Sequence, residues 1–178
     1  MQSQAIYNKL IIRCFAIMAA FYVGIGLLIY AICAIQLRLP ELMDIFGTWH
    51  YGRLRPVYTD ALFFGCGGAL FAASLQVVQR TGHTGLFAPQ LAWVVLFGWN
   101  LLVIIDALIF WSLLRGFNAT EFHMFNFWAN VVIAVVWLLY AIVFFGTLAI
   151  RKVRRFFVLN WIFGIVIIAT AILISLNL

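Results

Sequence analysis

The chain has 178 residues, of which 67% are hydrophobic and only 9% charged, and its mean hydropathy is +1.13. No soluble domain of this size buries so much apolar surface, so lipid is the expected solvent for most of it. The net charge of +6 is carried between apolar runs, which argues for membrane orientation signals and against nucleic acid as a partner.

A membrane span needs about 20 mostly apolar residues. Five such runs follow one another: Leu10 to Gln36, Val57 to Gln79, Leu91 to Leu114, Met124 to Ile150 and Phe156 to Leu176. Backbone polar groups cannot stay unpaired in hydrocarbon, so each run is predicted to be helical. The two-residue alternation of a membrane barrel is absent. The fold class expected is all-α, a polytopic bundle of five transmembrane helices forming one domain over residues 1–178. The first run is too long for a cleaved signal, and no small-residue cleavage site follows it.

The first run is preceded or opened by Lys9 and Arg13, and Arg80 lies between runs two and three. Arg151, Lys152, Arg154 and Arg155 lie between runs four and five. These seven share one side of the membrane. Arg38, Arg53, Arg55 and Arg115 share the other, diluted by Glu41, Asp44 and Glu121. The richer side is expected to be cytoplasmic, with the N-terminus inside and the C-terminus outside, periplasmic in a bacterium. "RKVRR" reads as a topology anchor in preference to an anionic-lipid site.

The longest connection, 37–56, contains "LPELMDIFGTWHYG". Leu42, Ile45, Phe46 and Trp49 recur there at helical spacing, so a short interfacial helix is expected. Trp49, Trp93, Trp111, Trp128 and Trp161 fall near run ends, as an aromatic belt would. "GCGG" at 65–68, with Gly24 and Gly26, reads as close helix contact.

Few residues carry chemistry. Cys14, Cys33 and Cys66 are singletons inside runs, without a CxxC, and read as small apolar filler. His50, His83 and His123 fall in loops or at run ends, so the facing imidazole pair of a membrane b-type haem is missing. Asp106, in "LLVIIDALIF", has no partner three or four residues away on its own helix. A lone acid at that depth is read as a packing or subunit-contact residue rather than a proton path. Asp60 lies nearer the outer end of the second run, within reach of interfacial water. The sequon "NAT" at 118–120 abuts the membrane and is discounted. No P-loop, Ser-His-Asp set, HExxH or dinucleotide glycine loop appears.

"FGTWHYGRLRPVYTDALFFGCGGALFAASLQVVQRTG" resembles the start of subunit I of cbb(3)-type cytochrome c oxidases, the C-family haem-copper oxidases. The likeness continues through "LFAPQLAWVVLFGWNLLVI", "AVVWLLYAIVFFGTLAIRKV" and "VLNWIFGIVIIATAIL". "GRLRP", "VVQRT", "VFFGT" and "NW.FG" are its most specific pieces. The resemblance covers only the first five or so helices of a catalytic subunit that has about a dozen. It implies a chain without the copper ligands, the active-site haem ligand and the cross-linked tyrosine, which lie in later helices.

The resemblance also implies a histidine, ligand to the low-spin haem, two residues past the proline of "GRLRP". Here that position is Tyr58. Tyrosine suits a high-spin ferric iron better than a bis-His electron carrier. Arg53 and Arg55 occupy positions that lie near haem propionates in the family, where guanidinium forks suit carboxylates. Glu121, in "TEF", is similar to a family glutamate that helps hold a calcium beside the cytochrome c subunit, and is a candidate for a calcium at an interface.

The implied function is a non-catalytic accessory or structural membrane subunit of a cytochrome oxidase-type respiratory complex. No cofactor is expected in this chain, haem and copper residing in partner subunits. The partners expected are the lipid bilayer and other integral membrane subunits: an oxidase subunit I or a membrane-anchored c-type cytochrome. The location implied is the bacterial inner membrane. The alternative is one half of a split oxidase, or a haem-binding membrane cytochrome subunit. A transporter is a weaker reading, because inverted halves and broken-helix pairs are absent. Phe63, Phe64, Phe97 and Trp99 are candidates to fill space that a haem would take.

Overall fold

The structure, a computed structural model, describes residues 7–39, 41, 51–114, 119–153 and 157–176, and for 109–114 and 119–126 it describes the backbone alone. Five helices run in order: α1 (Lys9–Arg38), α2 (Tyr51–Gly82), α3 (Pro89–Leu114), α4 (Ala119–Ala149) and α5 (Val158–Leu176). Each contains a segment long and apolar enough to cross a membrane, 19 to 32 residues in length. No strand occurs among the described residues. The chain is thus an all-helical, multi-pass membrane protein by length and composition, as its apolar runs require. The interfacial helix expected around Leu42, Ile45, Phe46 and Trp49 lies outside the described residues.

Helix α2 begins six residues before its apolar run, so "YGRLRP" is helical. A proline inside a helix needs space at the carbonyl four residues earlier. For Pro56 that residue is Gly52, which is exposed.

The chain forms two compact units. One comprises residues 16–69, the greater part of α1 and the first half of α2. The two helices run antiparallel in close register: Tyr30 meets Tyr58, Gly26 meets Leu62, Val23 meets Gly65 and Ala19 meets Gly68. Gly65 makes this approach what it is. A Cβ there would stand 2.6 Å from Val23 Cγ2, 2.9 Å from the Val23 nitrogen and 3.1 Å from the Ala19 carbonyl oxygen. Small residues let helices approach closely where lipid supplies no hydrophobic drive between them.

The other unit comprises residues 1–15 and 70–178. Its α3 packs along α4, and α4 along α5. Its centre is aromatic. Phe71 lies edge-on to Phe15 at 5.7 Å and to Trp99 at 4.8 Å, and tilted against Trp137 at 5.5 Å and Tyr140 at 4.2 Å. Trp99, Tyr140, Phe15, Phe71 and Phe144 are its largest fully buried side chains. The Trp137 indole donates to the Ile167 carbonyl at 3.0 Å, tying α4 to α5 through an otherwise orphaned donor.

Two of the expected belt tryptophans, Trp128 and Trp161, stand exposed near the starts of their spans, and Trp93 is half-buried. Of the four expected filling residues, Phe64 and Trp99 are buried, whereas Phe63 and Phe97 are 58% and 66% exposed and face outward.

Candidate functional site

Two places in the fold gather polar groups. The first is the start of α2, in the hairpin unit. Helical spacing places Tyr51, Arg55 and Tyr58 on one face at positions i, i+4 and i+7. Tyr51, Arg55 and, from α1, Cys33 lie near enough to the Tyr58 hydroxyl to act on it electrostatically. The Tyr58 ring stands edge-on to Tyr30 across the helix seam, with centroids 5.4 Å apart and planes at 73°. Tyr58 is half-buried, while Arg53 and Arg55 are both exposed. Arg53 and Asp60 are seven residues apart and share the face opposite Tyr58. Asp60 is half-buried and engaged with neighbouring groups. The hydroxyl of Thr59 donates to the Arg55 carbonyl, within the same helical turn.

The site residues expected from sequence therefore separate. Arg55 and Tyr58 come together. Arg53 and Asp60 lie on another face of the same helix. Asp106 belongs to α3 in the other unit, where it continues the packed stripe Val95, Trp99 and Leu102. It is half-buried and engaged with neighbouring groups. The backbone of Glu121 is helical within α4, and its side chain lies outside the description, as do Arg115 and His50.

Could this site hold a haem iron? The donor set decides. Bis-imidazole ligation needs two histidines on facing helices. Here the position in question offers a phenol, whose ring packs on Tyr30. Among the described residues, no three of His, Cys, Asp or Glu gather as a metal site. The residues present do not fit low-spin haem ligation, and no chemical step is derived through that group.

The second place is the end of the larger unit where α2 and α4 finish and α3 and α5 begin. Three of the motifs that carry the family resemblance meet here: "VVQRT" at 77–81, "VFFGT" at 143–147 and "NW.FG" at 160–164. The Asn160 amide donates to Thr81 Oγ1 at 2.9 Å. Thr147 Oγ1 accepts from the Phe87 nitrogen at 3.1 Å and donates to the Val143 carbonyl at 2.6 Å. Gln79 Oε1 accepts from the Asn8 nitrogen at 3.0 Å, and Asn8 Oδ1 accepts from the Leu86 nitrogen at 3.2 Å.

Helix α2 ends here in a left-handed cap. His83 has φ of 50°, and the Thr84 nitrogen donates back to the Gln79 carbonyl at 3.2 Å. That is the six-to-one bond of a Schellman motif, with histidine in the place glycine usually takes. The Lys152 nitrogen donates to the Gly82 carbonyl at 2.9 Å, which secures the α4–α5 connection to the same cap.

Sequence reasoning missed this network, and also the buried Ser74–Tyr140 hydroxyl pair at 2.5 Å. The signal was present. Ser74, Gln79, Tyr140, Thr147 and Asn160 are polar groups inside apolar runs, with Thr81 just past the end of one, and such groups need partners in lipid. What the linear order withholds is which of them meet.

No family model matches the chain. Curated relatives do. Over 173 residues, 96% of the chain, it is 42% identical to the Cbb3-type cytochrome c oxidase subunit CcoN1 of Stutzerimonas stutzeri, covering 36% of that protein. It is 37% identical over 171 residues to cytochrome c oxidase subunit 1 of Rhodobacter capsulatus, with 94% of the chain and 32% of the relative covered. A cytochrome c oxidase subunit 1 homolog of Agrobacterium tumefaciens is 34% identical over 165 residues, with 92% of the chain and 30% of the relative covered. The chain spans about a third of the length of the curated relatives it matches. Over nearly all of its own length, the chain is similar to cytochrome c oxidase subunit 1 proteins, the cbb(3)-type subunit among them.

Proposed function

We propose that the chain is a non-catalytic, structural membrane component of a cytochrome oxidase-type respiratory complex. Tyr58 carries this reading, rather than the number of helices. A position that would supply a nitrogen ligand instead supplies a phenol whose ring packs on Tyr30. The homology to oxidase subunits supports the setting: a bacterial inner membrane, with other integral subunits or a membrane-anchored c-type cytochrome as neighbours.

In this setting residues 1–178 act as one transmembrane domain, with the N-terminus cytoplasmic and the C-terminus periplasmic, as the Lys and Arg distribution favours. Haem and copper reside in partner subunits. The exposed guanidinium groups of Arg53 and Arg55 offer charge to an acidic partner surface. Asp60 and Asp106 serve packing between helices or subunits. Glu121 is a single oxygen ligand toward an interfacial calcium, which would need most of its ligands from a partner.

The test is a difference spectrum. The chain, purified together with its accompanying subunits, is compared with its Tyr58→Phe variant. Identical reduced-minus-oxidised bands support the structural role, and a changed band refutes it.

One observation favours a second reading, that of a haem-binding part of a divided oxidase. Identity of 42% runs along 96% of the chain, including "GRLRP". Under that reading Arg53 and Arg55 face haem propionates, and Tyr58→Phe shifts or abolishes a band.

A further inference from the structure

Cations gather at the capped end of the larger unit. Lys9, Arg13, Arg80 and Lys152 are exposed there, with His83, and Arg151 is half-buried. They come from three separate stretches, drawn together by the bonds of Asn8 to Gln79 and Leu86 and of Lys152 to Gly82. None of the five acids in the chain, Glu41, Asp44, Asp60, Asp106 and Glu121, belongs to these stretches.

Beneath the cations lie two buried polar groups that find no hydrogen-bond partner among the described residues. Gln79 is 1% exposed and Thr84 is 5% exposed. Gln79 Oε1 is taken by Asn8, so its Nε2 is the group left over, and Nε2 can only donate. Thr84 Oγ1 is likewise unpaired. A buried amide donor is costly to leave without an acceptor, so a guest rich in acceptors suits this end. Thr84 Oγ1 and the Arg151 side chain both flank Gly82, at 3.4 and 3.3 Å from where its Cβ would stand, so these groups converge.

Exposed apolar side chains sit beside the charges: Phe87, Phe157, Val158 and Trp161. Free phosphate has no use for them, whereas acyl chains do. We propose that this end binds the phosphate of an anionic phospholipid headgroup. The Arg80 and Lys152 cations meet its charge. Thr84 and Gln79 satisfy its oxygens directly or through one water. The proposal does not rest on the oxidase reading.

The test uses the full chain, purified with any accompanying subunits, and native mass spectrometry with added lipid. Phosphatidylglycerol is expected to bind on the order of tenfold tighter than phosphatidylcholine. Arg80→Gln combined with Lys152→Gln removes that preference. Arg38→Gln, an exposed cation at the far end of α1, keeps it. Thr84→Val removes a hydroxyl and no charge, and lowers phosphatidylglycerol affinity several-fold without changing its salt dependence. Equal binding of the two lipids overturns the proposal. So does loss of preference in Arg38→Gln, which would mark a general charge effect. Complete displacement of phosphatidylglycerol by millimolar inorganic phosphate would assign the site to free anions instead.

Discussion

The hairpin of residues 16–69 and the larger unit solve the same problem by opposite means. Both must hold helices together in lipid, where apolar surface alone gives no preference for protein over acyl chain. The hairpin does it by proximity: Ala19, Gly26, Gly65 and Gly68 bring two backbones close, and one tyrosine pair closes the seam. The larger unit does it by bulk and by hydrogen bonds. Phe71, Trp99, Trp137 and Tyr140 fill its centre, and Asn8, Thr81, Thr147 and Asn160 tie its end. The functional question falls on the hairpin, where Tyr58 stands.

Substitutions break this contrast in a definite order. Trp99→Ala opens the aromatic centre and is expected to cost about 3–5 kcal/mol, the largest loss. Its check is the thermal midpoint in micelles. Gly65→Ala drives a methyl group against the backbone of Val23 and Ala19, which cannot swing aside as a side-chain tip could. The expected cost is about 1–3 kcal/mol. Gly24→Ala sharpens the point: its Cβ meets nothing within 4 Å, so stability stays level or rises slightly. Tyr140→Phe removes one buried hydroxyl pair and is expected to cost about 0.6–1.5 kcal/mol, because Ser74 keeps its bond to the Phe71 carbonyl. A Gly24→Ala loss as large as that of Gly65→Ala would show that the hairpin is not held by close approach.

The five helices were legible because hydrocarbon imposes one rule on every span, and the apolar runs obey it to within a few residues at most ends. The start of α2 was not. Arginines and a proline read as loop, yet "YGRLRP" is helical. The site was legible in part. Tyr58 stood out at its position after "GRLRP", and its neighbours Arg55 and Tyr51 follow from helical spacing. Its packing on Tyr30 did not follow, because pairing between helices depends on register. Asp106 looked solitary for the same reason. Its stripe with Trp99 and Leu102 emerges only when the packed face of α3 is known. The capped end was hidden more deeply still, since it joins residues about 70 to 80 positions apart.

The account stands or falls on Tyr58 as a packing residue. Its most direct test is the reduced-minus-oxidised absorption spectrum of the purified complex, with Tyr58 intact and with Tyr58→Phe. Superimposable spectra are predicted, because the Tyr58 ring packs edge-on against Tyr30 within the hairpin. A haem band that shifts or vanishes on loss of that one oxygen would contradict it.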